Sequence, residues 1–188
     1  MTQLAQPELL IAVHPSPLQS LLSKSISSTH PPSLHSLAIQ IQHNLQYMHS
    51  WTDLHIHTHS PLTNETLSRP LLSGLPPRRL YTHPDEQIEL LKQADRERTA
   101  NKKRGGDSDA LVVKADPERE WILPTRLSEK WTLRRLAEVF DAIGMVPPEE
   151  DEKNAWRTTK RVVMATADTD STVVYYIVHD GVVKPRPN

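Results

Sequence analysis

Residues 161–178 read RVVMATADTDSTVVYYIV, and this stretch decides the fold. Two runs rich in β-branched residues, Arg161 to Ala167 and Thr172 to Val178, flank Asp168-Thr169-Asp170-Ser171. β-Branched side chains are stiff at χ1 and suit a pleated surface, whereas clustered Asp, Thr and Ser favour turns. The pattern predicts a β-hairpin with a polar four-residue loop. Its second strand, Val173-Val174-Tyr175-Tyr176-Ile177-Val178, is apolar on both faces. Such a strand is covered on both sides, by its own helices or by a partner. As a free edge it would be an aggregation hazard, and pairing with a partner would bury both tyrosines.

Working back along the chain, Ser128 reads as the cap of a helix with apolar face Leu133, Leu136, Ala137 and Phe140, and Ile143 beyond. Gly144 and Pro147-Pro148 stop it, and an acidic loop, Glu149 to Glu152, follows. Leu111 to Val113 and Trp121 to Leu123 are short strand candidates. Pro84 to Arg104 reads as a helix, acidic at its start and basic at its end, as the helix dipole prefers. Gly74-Leu75-Pro76-Pro77 reads as a turn, and Arg78 to Thr82 as a further short strand. Trp51 to Ser60 alternates, with Trp51, Asp53, His55, His57 and His59 on one side and Leu54 and Ile56 on the other. Ser33 opens another helix, whose stripe is Leu34, Leu37, Ala38, Ile41, Leu45 and Met48, ending near His49.

The chain has 188 residues, and 16 prolines against 5 glycines. Its charge is unevenly placed. Of 45 Asp, Glu, Lys and Arg residues, only Glu8, Lys24, Asp53, Glu65 and Arg69 precede residue 76. Residues 1–32, rich in Ser, Pro and His, read as a flexible tail, and residues 33–188 as the folded domain, with a charged helix and linker inserted at about 85–110. A net charge of -1 excludes a uniformly basic nucleic-acid coat. With no cysteine, there are no disulfides, thiolate metal sites or cysteine nucleophiles. No apolar run approaches the ~20 residues of a membrane span. The first 30 residues show neither a secretory signal nor an Arg-rich transit peptide.

Little of the chain spells catalysis. No Gly-rich phosphate loop and no serine-nucleophile elbow occurs. Paired carboxylates fall in charge-rich stretches, where solvation is the ordinary explanation. Asp53, His55, His57 and His59 share one side of a strand, so imidazoles could meet one metal. The opening Asp53-Leu54-His55-Ile56-His57 resembles the motif of the PHP family of metal-dependent phosphoesterases. That family needs further His, Asp and Glu ligands downstream, and only His83 and His179 follow His59. A metal-dependent phosphoesterase is therefore the alternative function, set against a polar exposed face. Lys102, Lys103 and Arg104 end a basic run that could touch an RNA backbone.

The stretch Val162 to Tyr176, followed by Asp180-Gly181, resembles the smallest, non-catalytic subunit of the eukaryotic tRNA-splicing endonuclease, in its fungal type. Gly74-Leu75-Pro76 and Trp121-Ile122-Leu123-Pro124 fit the same family in order, and the likeness covers roughly residues 33–188. The resemblance implies an α+β fold, a small mixed sheet flanked by helices, and a structural subunit of a heterotetramer that excises introns from precursor tRNA. Val173 to Val178 would pair with a catalytic subunit. Asp168, Thr169, Asp170 and Ser171 would form the loop that inserts into the opposite dimer, unless the two acids simply form the turn. The family's cutting subunits use a Tyr, His and Lys triad. Here no Tyr or His occurs between residues 105 and 130, and Lys160 stands alone near the place of the triad lysine. The resemblance thus implies no cleavage activity and no cofactor. It places the protein in the nucleus or, as in some yeasts, on the cytosolic face of the mitochondrial outer membrane.

Overall fold

The computed structural model describes residues 16, 17, 20, 29–103, 115–148 and 154–182, without the side chains of 101–103. Among them the elements run α1 Pro32–Met48, β1 Thr52–His59, β2 Thr66–Leu75, α2 Pro84–Lys103, β3 Glu120–Arg126, α3 Leu133–Ala142, β4 Arg161–Ala167 and β5 Val173–His179. The five strands form one sheet in the order β1-β2-β3-β4-β5. All neighbours are antiparallel except β3 and β4, which are parallel and joined through α3. The protein is therefore α+β, a small mixed sheet flanked by helices.

The two faces of the sheet take alternate residues, because successive strand side chains point oppositely. On one face Leu72, Ile122, Val163 and Ala165 meet Leu37, Ala38, Ile41 and Leu45 of α1. On the other, Leu71, Trp121, Leu123 and Val162 meet Val139, Phe140 and Ile143, contributed by α3 and its C-terminal cap. Covered on both sides, β3 and β4 read as nearly continuous apolar runs.

The structure departs from the sequence expectations at several points. Residues 66–75, partly read as a turn, form the ten-residue strand β2. Pro70 disguises it. The β2–β3 ladder runs Gly74↔Glu120, Ser73↔Trp121, Leu72↔Ile122. Continued by two residues it would set Pro70 against Pro124, neither of which can donate to a ladder, and the pairing stops short of them at Leu72↔Ile122. Residues 78–82 are not a strand. Helix α1 starts at Pro32 rather than being capped by Ser33, with proline at the first position, where a missing N–H is harmless. Thr132, not Ser128, caps α3, its hydroxyl accepting from Arg135 N. Leu133 and Ala137 lie on the solvent side of α3, and Met48 is exposed at the end of α1. Trp51 packs with Leu54 and Ile56 rather than opposite them. The cause is a bulge between Thr52 and His55, where Asp53 takes the left-handed φ of 52° and flips the alternation. Residues 111–113, 149–152 and most of 1–32 lie outside the described residues.

Candidate protein-interaction edge

The sheet has two edges, and they are built differently. At β1 the register shifts twice, and the backbone is tied down from both flanks. Gln42 of α1 donates to Leu54 O at 3.2 Å, and Arg119 donates to Asp53 O at 2.8 Å. Bulges and covering side chains are the usual protection of an edge. At the other end, β5 pairs with β4 in unbroken register over seven residues, Arg161↔His179 to Ala167↔Val173. Its outer side pairs with no strand among the described residues.

The side chains of β5 divide by face. Val173 and Tyr175 pack against the α1 cluster, and Val178 against the α3 cluster. Tyr175 is anchored: its hydroxyl donates to Asn44 Oδ1 at 2.6 Å and its ring meets His49 edge-on. Burial pushes its phenol well above the usual tyrosine range. Tyr176 is 56% exposed, Val174 45% and Ile177 39%. The strand expected to be covered on both sides thus has Tyr175 packed into the chain's own core, while Val174, Tyr176 and Ile177 are exposed.

The hairpin tip is exposed and internally bonded. Asp168 Oδ1 accepts from Thr169 N at 2.6 Å. Asp170 accepts from Thr172 N at 2.8 Å and from the Thr172 hydroxyl at 3.0 Å. These bonds hold the Asp170 carboxyl below its ordinary range, and Ser171 completes the turn at φ 70°. Both acids thus form the turn while leaving the tip acidic.

Lys160 is engaged in a backbone hydrogen bond. Its Nζ donates to Phe140 O at 2.6 Å, closing the C-terminal end of α3. Strand β1 does not assemble a metal set. His55 donates to Asp53 Oδ1 at 3.0 Å, His57 shares a hydrogen bond with Ser73 Oγ at 2.8 Å, and His59 one with Thr58 Oγ1 at 2.9 Å. Asp53 itself is ion-paired with Arg119, whose hydrogen bond is the main cause of its lowered pKa. Among the described residues no three His, Asp or Glu side chains are placed to hold a metal. Lys102 and Lys103 lie in the last turn of α2, but their side chains and Arg104 fall outside the described residues.

A buried ionic cluster stands where solvated carboxylates were expected. Glu120 receives Arg161 Nε at 3.0 Å and Arg157 Nη2 at 3.1 Å. Glu118 receives Arg161, Asn154 and, at 3.2 Å, Arg79. Arg79 also pairs with Glu86 of α2. Three carboxylates thus face three guanidiniums, and Asn154 bridges Glu86 and Glu118. Contributed by residues from 79 to 161, the cluster ties α2 and the 154–157 turn to the start of β3 and β4. No local sequence signal marks it, because the partners are far apart in the chain.

Together these features define, among the described residues, an α+β domain with one guarded sheet edge and one apolar edge that no strand covers. The sequence model of the family described as Sen15 protein matches residues 40–188, and the chain belongs to that family. It is 41% identical over 166 residues to the "Probable tRNA-splicing endonuclease subunit tsp-1" of Neurospora crassa, covering 82% of this chain and 67% of that protein. It is 31% identical over 105 residues to the "tRNA-splicing endonuclease subunit SEN15" of Eremothecium gossypii, covering 54% and 76% of the two chains. The Schizosaccharomyces pombe "Probable tRNA-splicing endonuclease subunit sen15" is 31% identical over 71 residues, 37% of this chain and 50% of that one.

Proposed function

We propose that this chain is a non-catalytic structural subunit of a heterotetrameric tRNA-splicing endonuclease, supporting intron excision from precursor tRNA. It joins a catalytic subunit by adding one of that subunit's strands to the outer side of β5. The observation that carries the pairing is the contrast between edges, a regular apolar β5 opposite a bulged and capped β1. An edge strand gives affinity through main-chain hydrogen bonds and specificity through alternate side chains. Val174 and Tyr176 are the alternate side chains on offer. The tip at 168–171, which joins β4 to β5, is the contact to the opposite dimer.

The test is co-expression with the other three subunits and recovery through a tag on this chain. Val174→Asp combined with Tyr176→Asp should abolish stoichiometric recovery of a catalytic subunit while leaving the melting temperature of this chain within a few degrees of the parent, since both side chains are exposed. Tyr175 is left intact, because its change would strike the fold through Asn44. Full recovery and unchanged precursor cleavage by the double variant would refute the pairing.

A further inference from the structure

β3 and β4 run parallel and finish together, with Leu127 N donating to Ala167 O at 2.9 Å. Just beyond this end of the sheet lie two exposed leucines. Leu127 is 63% exposed, and Leu133, the first residue of α3, is 86% exposed. Arg126, Lys130 and Arg134 neighbour them in sequence, all exposed. Arg134 makes a solvent-exposed pair with Glu138 at 3.3 Å, while Arg126 and Lys130 have no ion pair among the described residues. Glu129, the one carboxylate between 126 and 134, is already taken by Arg69 at 3.0 Å and Arg135 at 2.8 Å. The segment therefore combines aliphatic exposure with two cations, Arg126 and Lys130, that make no ion pair among the described residues, close in the fold to the start of the exposed 168–171 tip.

We propose that this cation-flanked leucine pair is a docking surface for an aliphatic segment of another polypeptide that carries carboxylates beside its apolar side chains. Leucines flanked by free cations are complementary to that composition, burying apolar area while each carboxylate meets a charge that the fold has left unpaired. An RNA backbone would use the cations and leave both leucines in water. Nor is a base-stacking platform available, because the neighbouring aromatic, Trp131, is already covered by the guanidiniums of Arg69 at 5.0 Å and Arg135 at 4.5 Å. The surface lies beyond the ends of β3 and β4 rather than along the outer side of β5. The identity of its partner rests on the reading above: a subunit other than the one held by β5.

The experiment uses the reconstituted four-subunit complex. Two double variants are compared, Leu127→Ser with Leu133→Ser and Arg126→Glu with Lys130→Glu, beside the β5 variant as a control. Light scattering after gel filtration gives the mass of what assembles. The expected result is that each surface variant keeps the β5 partner at parent stoichiometry but retains another subunit at least tenfold less well. The defect of the charge variant should grow as salt is lowered, and that of the leucine variant should change little with salt. Retention of every subunit by both variants overturns the proposal. So does intact assembly accompanied by weaker precursor-tRNA binding with a shallower salt slope, which would assign the cations to RNA. If the β5 control loses nothing, the strand-pairing reading fails separately, and the surface variants still report whether any subunit depends on Leu127 and Leu133.

Discussion

Glu120, 1% exposed, holds two arginines at the start of β3. Removing one member of a buried ion pair leaves an uncompensated charge and costs about 3–5 kcal/mol. Glu120→Ala should therefore lower the unfolding free energy by roughly that amount, measured by urea titration, whereas Glu120→Leu combined with Arg161→Met should cost much less than the sum of the single changes. The same cluster sets a pH dependence. Burial pushes Glu118 up, but the Asn154 hydrogen bond and the charges of Arg161 and Arg79 outweigh it and hold the carboxyl below its ordinary range. Its contribution to stability is present above the unfolded value near ~4.3 and is lost as pH falls below it. His179 is lowered by burial and by Arg161 and Arg157, so its contribution is present above about 6.5 and is lost as pH falls from there. The melting temperature should thus begin to fall below about pH 6.5 and fall again below about pH 4.3, and His179→Asn should flatten the first decline. At the hairpin tip, Asn can replace Asp168 and Asp170 as acceptor of the loop amides while removing both charges. If the tip docks by charge, the double Asn variant should weaken tetramer assembly without changing this chain's melting temperature. Undisturbed assembly, followed by size-exclusion chromatography, would leave the acids with the turn alone.

Elements that declare themselves locally were legible. Strand β4 and the α1 stripe follow from period and β-branching, and the hairpin from the acids between its strands. What stayed hidden depends on contacts distant in sequence. Strand β2 carries Pro70, which argues against a central strand until the ladder to β3 is seen to end two residues short of it, at Leu72. The bulge at Asp53 turns Trp51 inward, and no alternation rule can show that. Gly74 shows the consequence. A Cβ there would lie 2.5 Å from Leu54 Cδ2 and 3.2 Å from the Trp51 ring. Gly74→Ala should destabilise the protein by roughly 1–3 kcal/mol through overpacking, read as a shift in the urea midpoint. Lys160 belongs at this scale too. Its position suggested a remnant of a triad, and its bond to Phe140 O makes it a cap for α3. Lys160→Ala should cost about 1–2 kcal/mol of stability, as loss of a charged hydrogen bond does. Precursor cleavage by the assembled complex should be unchanged, and a hundredfold slower rate would overturn the non-catalytic reading.

For the molecule as a whole, the decisive fact is asymmetry between two edges of one sheet. A central sheet covered on both faces by α1 and α3 leaves its strand ends and edges for recognition. Gln42, Arg119 and two register shifts occupy the β1 edge. Nothing comparable protects β5 among the described residues, where Val174, Tyr176 and Ile177 remain exposed beside a continuous ladder. A free edge of this kind pairs with whatever strand is offered, including a second copy of itself. The isolated chain should therefore self-associate as its concentration rises, and sedimentation velocity should show the weight-average mass climbing above the 21.4 kDa of one chain. A lysine on an edge strand opposes such pairing by forcing a charge into the new interface. Tyr176→Lys should return the isolated chain to a monomer and, in the same preparation, stop it from capturing a catalytic subunit. Both losses together would mean that one surface serves self-association and assembly. A monomeric variant that still captured its partner would separate the two surfaces and move the partner's site away from β5.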